Sequence, residues 1–138
     1  MSGKSPFPFS RRRTKSLQAV AAALLCLVGY GSAHAGGGDA GHGANVFAQE
    51  CAECHSMKAG KNKKGPSLFG VVGRQSASIA DFSYSDALKQ AGWAWSPEQL
   101  DAYVAHPRKA VVGGKMKYDG LDDPAARADV IAYLASIH

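Results

Sequence analysis

Hydrophobic positions along the chain form short helical patterns separated by long aperiodic stretches. The run LQAVAAALLCLVGY, residues 17–30, is apolar almost throughout and stands apart from everything after it. GGGDAGHG, residues 36–43, reads as a flexible, frayed leader. Spacing of three to four then begins near Ala44 and runs through Val46, Phe47 and Glu50 into Cys51, which predicts a helix. Residues 56–80 carry glycine, proline and lysine with no sustained period and predict a long ordered loop. Such a loop in a small domain needs an organiser other than side-chain packing, and a large bound cofactor is one. Residues 85–91 predict one or two helical turns closed by Gly92. Ser96-Pro97-Glu98-Gln99 marks a sharper start, with serine as N-cap, proline at the first helical position and Gln99 completing a capping box. Leu100, Tyr103 and Val104 supply that helix's buried face, and His106-Pro107 ends it. RKAVVGGKMKYDG, residues 108–120, predicts a second loop that bends at Gly113, Gly114 and Gly120. Asp123-Pro124 opens a final helix lined by Val130, Ile131, Leu134 and Ile137. No strand alternation or internal repeat stands out, so the expected class is all-α, with loops longer than a helical bundle uses.

The apolar run changes how composition is counted. Arg11, Arg12, Arg13 and Lys15 precede it and Ala33-His34-Ala35 follows with a small-x-small pattern, which together read as an export signal over residues 1–35, cut after Ala35. The run is short of the ~20 residues that a membrane span needs, so removal is expected rather than retention as an anchor. Leu25 is bulky where a lipid-modified cysteine at Cys26 would want a small neighbour, and SRRRTK lacks the rest of a twin-arginine pattern. Five of the sixteen basic residues lie in this segment and none of the eleven acidic ones, so residues 36–138 carry eleven of each. The net charge of +5 belongs to the precursor. Without a basic excess, nucleic acid is not an expected partner. The charge is nonetheless polarised: Lys58, Lys61, Lys63 and Lys64 form one basic group, Arg108, Lys109, Lys115 and Lys117 another, and aspartates crowd the C-terminal end. The remaining 103 residues suit one domain with a modest core.

Candidate chemistry centres on CAECH, residues 51–55. A structural zinc site needs four ligands, but no further cysteine follows, and His42 and His106 match no usual spacing. A redox dithiol would sit at a strand-to-helix turn, and no such strand is apparent. A covalent haem accounts for all three residues: Cys51 and Cys54 reach its two vinyl groups and His55 faces the iron. Export agrees with that attachment. Met57, Met116, His42, His106, His138 and water compete for the opposite face of the iron. Met57 is tethered on the same side as His55, whereas Met116 has the chain from 56 to 115 available to wrap the ring. GGKMKYDG is also poor company for a core methionine, so Met116 is favoured. A thioether favours ferrous iron and a high potential. The Pro66 carbonyl suits the second nitrogen of His55.

CAECH, GPSLFGVVGR, FSYSDALK, GWAW, LDAYVAHPRKAVVGGKM and DVIAYL stand in an order and spacing that resemble class I cytochromes c, from residue 43 to 137. The resemblance implies the small class I cytochrome c fold, short helices and long loops wrapped around one covalently bound haem c. It implies that Cys51 and Cys54 hold the haem, with His55 proximal, Met116 distal and Pro66 bonded to His55. Arg74, Tyr84 and Trp95 match positions that neutralise or bond the haem propionates, and Tyr103 matches one beside the methionine sulfur. Gly43 and Phe47 would pack on Tyr133 where the first and last helices cross. Three residues depart from the mitochondrial pattern: Leu88 replaces an asparagine behind the haem, Gly114 a threonine, and Val112 a proline in the methionine loop. Fewer hydrogen bonds and a pliable glycine pair predict a more easily broken Met116 bond.

The function so implied is that of a soluble, monomeric periplasmic carrier of one electron, not an enzyme. It would shuttle between respiratory or photosynthetic membrane complexes, from a cytochrome bc1-type donor to an oxidase or reaction-centre acceptor. Stable membrane insertion is not expected once the signal is gone. A dedicated electron acceptor of a periplasmic dehydrogenase would show the same motifs and stands as the alternative. A peroxidase is disfavoured, because no catalytic distal histidine is evident and six-coordinate iron leaves peroxide no place. The basic groups would steer acidic partners to the haem edge with strong salt dependence.

Overall fold

The computed structural model describes residues 37–138. The export segment and its cut after Ala35 lie outside the described residues. Five helices follow in order: α1 (Ala40–Val46), prolonged by a π-helical turn (Phe47–Cys51), α2 (Asp86–Ala91), α3 (Pro97–Ala105), α4 (Pro107–Ala110) and α5 (Pro124–Ala135). Among the described residues the only β pairing is an isolated antiparallel bridge between Gln75 and Ala94.

The leader is shorter than its glycines suggest. Asp39 caps α1 by accepting the His42 backbone N–H at 2.8 Å, and helix begins at Ala40 inside the stretch expected to fray. Asp129 of α5 is the reason. Its carboxylate accepts the Asp39 N–H and the His42 Nδ1–H, each at 2.6 Å, and so ties the start of α1 to a helix 90 residues away. His42 first, then the Asp39 N–H, hold the Asp129 carboxyl below its ordinary 3.8. A depressed carboxyl pKa stabilises the fold above the unfolded value, and that contribution fades as pH falls through the folded one. Amide exchange in the first turn of α1 should therefore quicken on acidification. An Asp129→Asn variant should exchange fast already at neutral pH and show little further acid response; exchange identical to the unsubstituted protein would refute the tie.

Helix α1 crosses α5 at Gly43. A Cβ there would stand 2.0 Å from the Asp129 carbonyl oxygen and 2.9 Å from the Tyr133 Cβ, so only glycine permits this approach. One turn on, the Phe47 ring meets Tyr133 with centroids 5.7 Å apart, tilted by 52°. Val130, Ile131 and Leu134 of α5 bury against Val46, Phe47 and α3's Leu100 and Tyr103, forming one core. Arg127 fastens α5 to α3 and to the segment between them, donating to Asp101 at 2.7 Å and to the Leu121 and Asp122 carbonyls at 2.8 and 2.9 Å.

The helix starts expected at Ser85, Ser96 and Asp123 are observed, each side chain accepting a first-turn N–H. Gly92 closes α2 in the left-handed region at φ +62°. Two details differ. The capping box at α3 is half made: Ser96 Oγ accepts the Gln99 N–H at 3.1 Å, but the Ser96 N–H goes to the Ala94 carbonyl at 2.9 Å rather than to Gln99. Pro107 also begins α4 where loop was expected. Proline ends a helix before it and suits the first position of the next, and the His106 carbonyl accepts from both Lys109 and Ala110, at 3.0 and 2.9 Å.

The long loop is ordered by side chains bonded to backbone. Ser67, almost wholly buried, donates its hydroxyl to the Lys58 carbonyl at 2.7 Å, and its N–H reaches Asn62 Oδ1 at 2.9 Å. Further on, Gly73 and Ser76 donate to the Trp95 and Trp93 carbonyls at 2.8 and 2.7 Å, and Trp95 donates back to Arg74 at 2.9 Å. This pairing brings the loop's end beside α3.

Candidate haem site

The cysteines sit where helix geometry changes. The Ala52 N–H bonds the Phe47 carbonyl, five residues back, at 2.9 Å; the Cys51 carbonyl then takes the N–H of both Cys54 and His55, at 3.1 and 2.9 Å. One tightened turn therefore carries all three residues, with the π turn just before it, a feature common at functional sites. Both thiols are free and half-buried. Burial, then Glu50 and Cys54, push the Cys51 thiol up to about 11, so it stays protonated near neutrality. Redox dithiols need the opposite shift. Among the described residues no group of three or more His, Cys, Asp or Glu could hold a metal ion.

His55 is fixed in both tautomer and position. Its Nδ1 lies 2.8 Å from the Pro66 carbonyl, and since a carbonyl only accepts, Nδ1 carries the proton and Nε2 keeps its lone pair. Burial holds the His55 pKa down, opposed by the Pro66 carbonyl and assisted by Lys63, so the ring is neutral. Gly65 lies against the imidazole: a Cβ there would be 2.4 Å from Cε1 and 2.8 Å from Nδ1. The Gly65 N–H returns to the Cys54 carbonyl at 2.8 Å, closing residues 54–65 into a ring of chain. Two thiols on one turn and a neutral imidazole presenting a lone pair suit a haem c held by two thioethers and one histidine.

Met116 lies half-buried on the loop after α4 and packs, like Cys51 and Met57, against the hydrophobic core. It lines an open hollow with Arg108, Val111, Gly113, Gly114 and Lys117. Of the competing histidines, His42 is engaged by Asp129 at the α1–α5 crossing, and His106 and His138 are exposed. Of the three departures, Leu88 packs against the core and a Cβ at Gly114 would stand 3.0 Å from the Val111 carbonyl oxygen, while nothing in the structure explains the exposed Val112.

Arg74 is half-buried and spends two guanidinium nitrogens on the Phe69 and Ser67 carbonyls, at 2.7 and 2.9 Å. Tyr84 is buried, and burial raises its phenol's pKa, opposed in part by the Arg74 guanidinium. Trp95 and Tyr103 meet at 5.0 Å with their rings tilted by 57°, and Trp93 lies edge-on to both at 5.7 and 6.3 Å. Trp93, Gly65, Asn62 and Ser67 escaped sequence reasoning. The period of two in W-A-W places Trp93 on the side of Trp95, and that was the available signal.

Residues 40–138 match the family model described as Cytochrome c. The chain is 47% identical over 98 residues to a cytochrome c of Cochliobolus lunatus, covering 70% of this chain and 91% of the relative. A cytochrome c of Arabidopsis thaliana is 47% identical over 98 residues, 70% of this chain and 88% of the relative. Cytochrome c2 of Rhodopila globiformis is 46% identical over 100 residues, 72% and 94% respectively. The helical fold with short elements and long loops accords with these matches. The chain thus belongs to the cytochrome c family, as a class I member that holds one covalent haem c and carries electrons rather than catalysing a reaction.

Proposed function

We propose that the chain is a periplasmic carrier whose haem c is bound through Cys51 and Cys54, with His55 and Met116 as the iron ligands. The observation that carries this reading is the His55–Pro66 bond at 2.8 Å over Gly65, which presents one neutral nitrogen beside two thiols. When bound, the haem supplies an iron that gains and loses a single electron. The protein's part is to hold the imidazole rigid, offer a soft sulfur from Met116 and surround the ring with Trp95, Tyr103 and Leu68. Arg74 and Tyr84 are assigned to the propionates. In this reading residues 1–35 are a cleaved export signal, and no helix among the described residues is long and apolar enough to cross a membrane.

The assigned partners are membrane redox complexes, a cytochrome bc1-type donor and an oxidase or reaction-centre acceptor, as the bacterial relative named cytochrome c2 encourages. Basic side chains supply the docking charge. Lys64 pairs with Glu53 and Arg108 with Asp119, while Lys58, Lys61, Lys109 and Lys117 are exposed without an ion pair among the described residues. Replacing Met116 with alanine tests the core of the assignment. The ferric protein should lose the near-infrared methionine charge-transfer band and its potential should fall, while the haem stays covalently attached under denaturing electrophoresis. A visible and near-infrared spectrum unaltered by the substitution would refute it.

A further inference from the structure

The Met116 segment has little support of its own. Gly114 donates to the Val111 carbonyl at 3.0 Å, and the next backbone bond donated is from Leu121 to Val104 at 3.0 Å; residues 115–120 donate none to another backbone carbonyl among the described residues. Val112 at the start of this stretch is 82% exposed. Two side chains bracket the methionine instead. Lys115 Nζ reaches the Ser83 carbonyl at 3.3 Å and the Ser83 hydroxyl and Tyr84 carbonyl at 3.4 Å. Tyr118 donates its hydroxyl to Glu50 Oε2 at 2.9 Å, across 68 residues of sequence.

These two attachments are unequal. One ammonium shared among three contacts of 3.3–3.4 Å restrains weakly, whereas the phenol makes a single bond of ordinary length, 2.9 Å, to a carboxylate. Glu50 lies in the π-helical turn, next to Cys51. The Tyr118–Glu50 bond therefore joins the segment bearing the candidate distal ligand directly to the turn bearing the first thioether cysteine. For the segment to swing outward, this bond must break.

We infer that Tyr118 is a positioning residue: through Glu50 it straps the Met116 segment to the cysteine turn and sets how readily the methionine leaves the iron. This rests on the assignment of Met116 as ligand. The strap supplies from outside the loop the restraint that Val112, Gly113 and Gly114 do not supply within it. Glu50, exposed and away from the core, acts here as an acceptor only.

The test is displacement of the methionine in the ferric holoprotein by added imidazole at neutral pH, followed at the methionine charge-transfer band. Tyr118→Phe and Glu50→Ala should each raise the apparent imidazole affinity about tenfold, the effect of losing roughly one hydrogen bond to a charged group. Glu50→Gln should restore most of the difference, because an amide oxygen still accepts. The double variant Tyr118→Phe with Glu50→Ala should be no more open than either single one, since both remove the same bond. Glu50 is a surface position, so its variants report even where Tyr118→Phe loads haem poorly. Unchanged imidazole affinity in both single variants, or effects that multiply in the double, would overturn the strap while leaving the ligand assignment standing. An unsubstituted protein without the charge-transfer band would overturn the assignment and the strap with it.

Discussion

Replacing Gly43 with alanine is expected to cost about 3 kcal/mol of folding stability or more. The added methyl would lie 2.0 Å from the Asp129 carbonyl oxygen and 2.5 Å from its carbon. Both are backbone atoms of a helix, so no rotamer change relieves the overlap. Helix α1 would have to retreat from α5, and the retreat takes with it the Phe47–Tyr133 ring contact and the bonds from Asp39 and His42 to Asp129. Denaturant unfolding of the reduced holoprotein measures the loss. Gly41→Ala is the control: it lies on the exposed side of the same helix, where a Cβ meets only the Asp39 side chain at 3.1 Å, and should stay within about 1 kcal/mol of the parent. Equal unfolding midpoints for both variants would show that the crossing is looser than described.

Gly65→Ala should be the most damaging single change at the haem site outside the cysteines and ligands. Its methyl would press on the imidazole at 2.4 Å from Cε1, 2.8 Å from Nδ1 and 2.9 Å from Nε2. Either the ring of chain over residues 54–65 opens, or His55 tilts off the Pro66 carbonyl and loses its fixed tautomer. Overpacking together with a lost buried hydrogen bond amounts to about 3 kcal/mol. The yield of covalently haem-loaded protein should fall several-fold and the potential should shift. Pro66→Ala keeps the accepting carbonyl and changes mainly the stiffness of the chain, so it should cost about 1 kcal/mol or less. Ordinary loading and potential in Gly65→Ala would mean that the histidine is not held as the distances indicate.

What could be read without coordinates was whatever is written locally. Ser96-Pro97 and Asp123-Pro124 announce helix starts because a cap needs only residues three apart, and both starts are observed. CAECH is local in the same sense, and it yielded the three candidate residues that the structure places on one turn. The bond from His55 to Pro66 was expected and is present. Features made by distant partners were not legible. Helix α1 begins early because of an aspartate 90 residues away. Ser67 and Asn62 order the long loop through side-chain-to-backbone bonds that leave no periodic trace. The bond between Tyr118 and Glu50 likewise joins two residues that nothing in their own neighbourhoods connects. Pro107 misled for a different reason: the same ring that stops one helix is well shaped to start another.

The α1–α5 seam also imposes a timetable. Asp129 and Tyr133 are synthesised more than eighty residues after Gly43, and at ~5–20 residues per second the first helix waits several seconds for its partner. Until then the first helix lacks both the carboxylate that ties its start and the ring that Phe47 meets, so the N-terminal third of the domain cannot close ahead of the last helix.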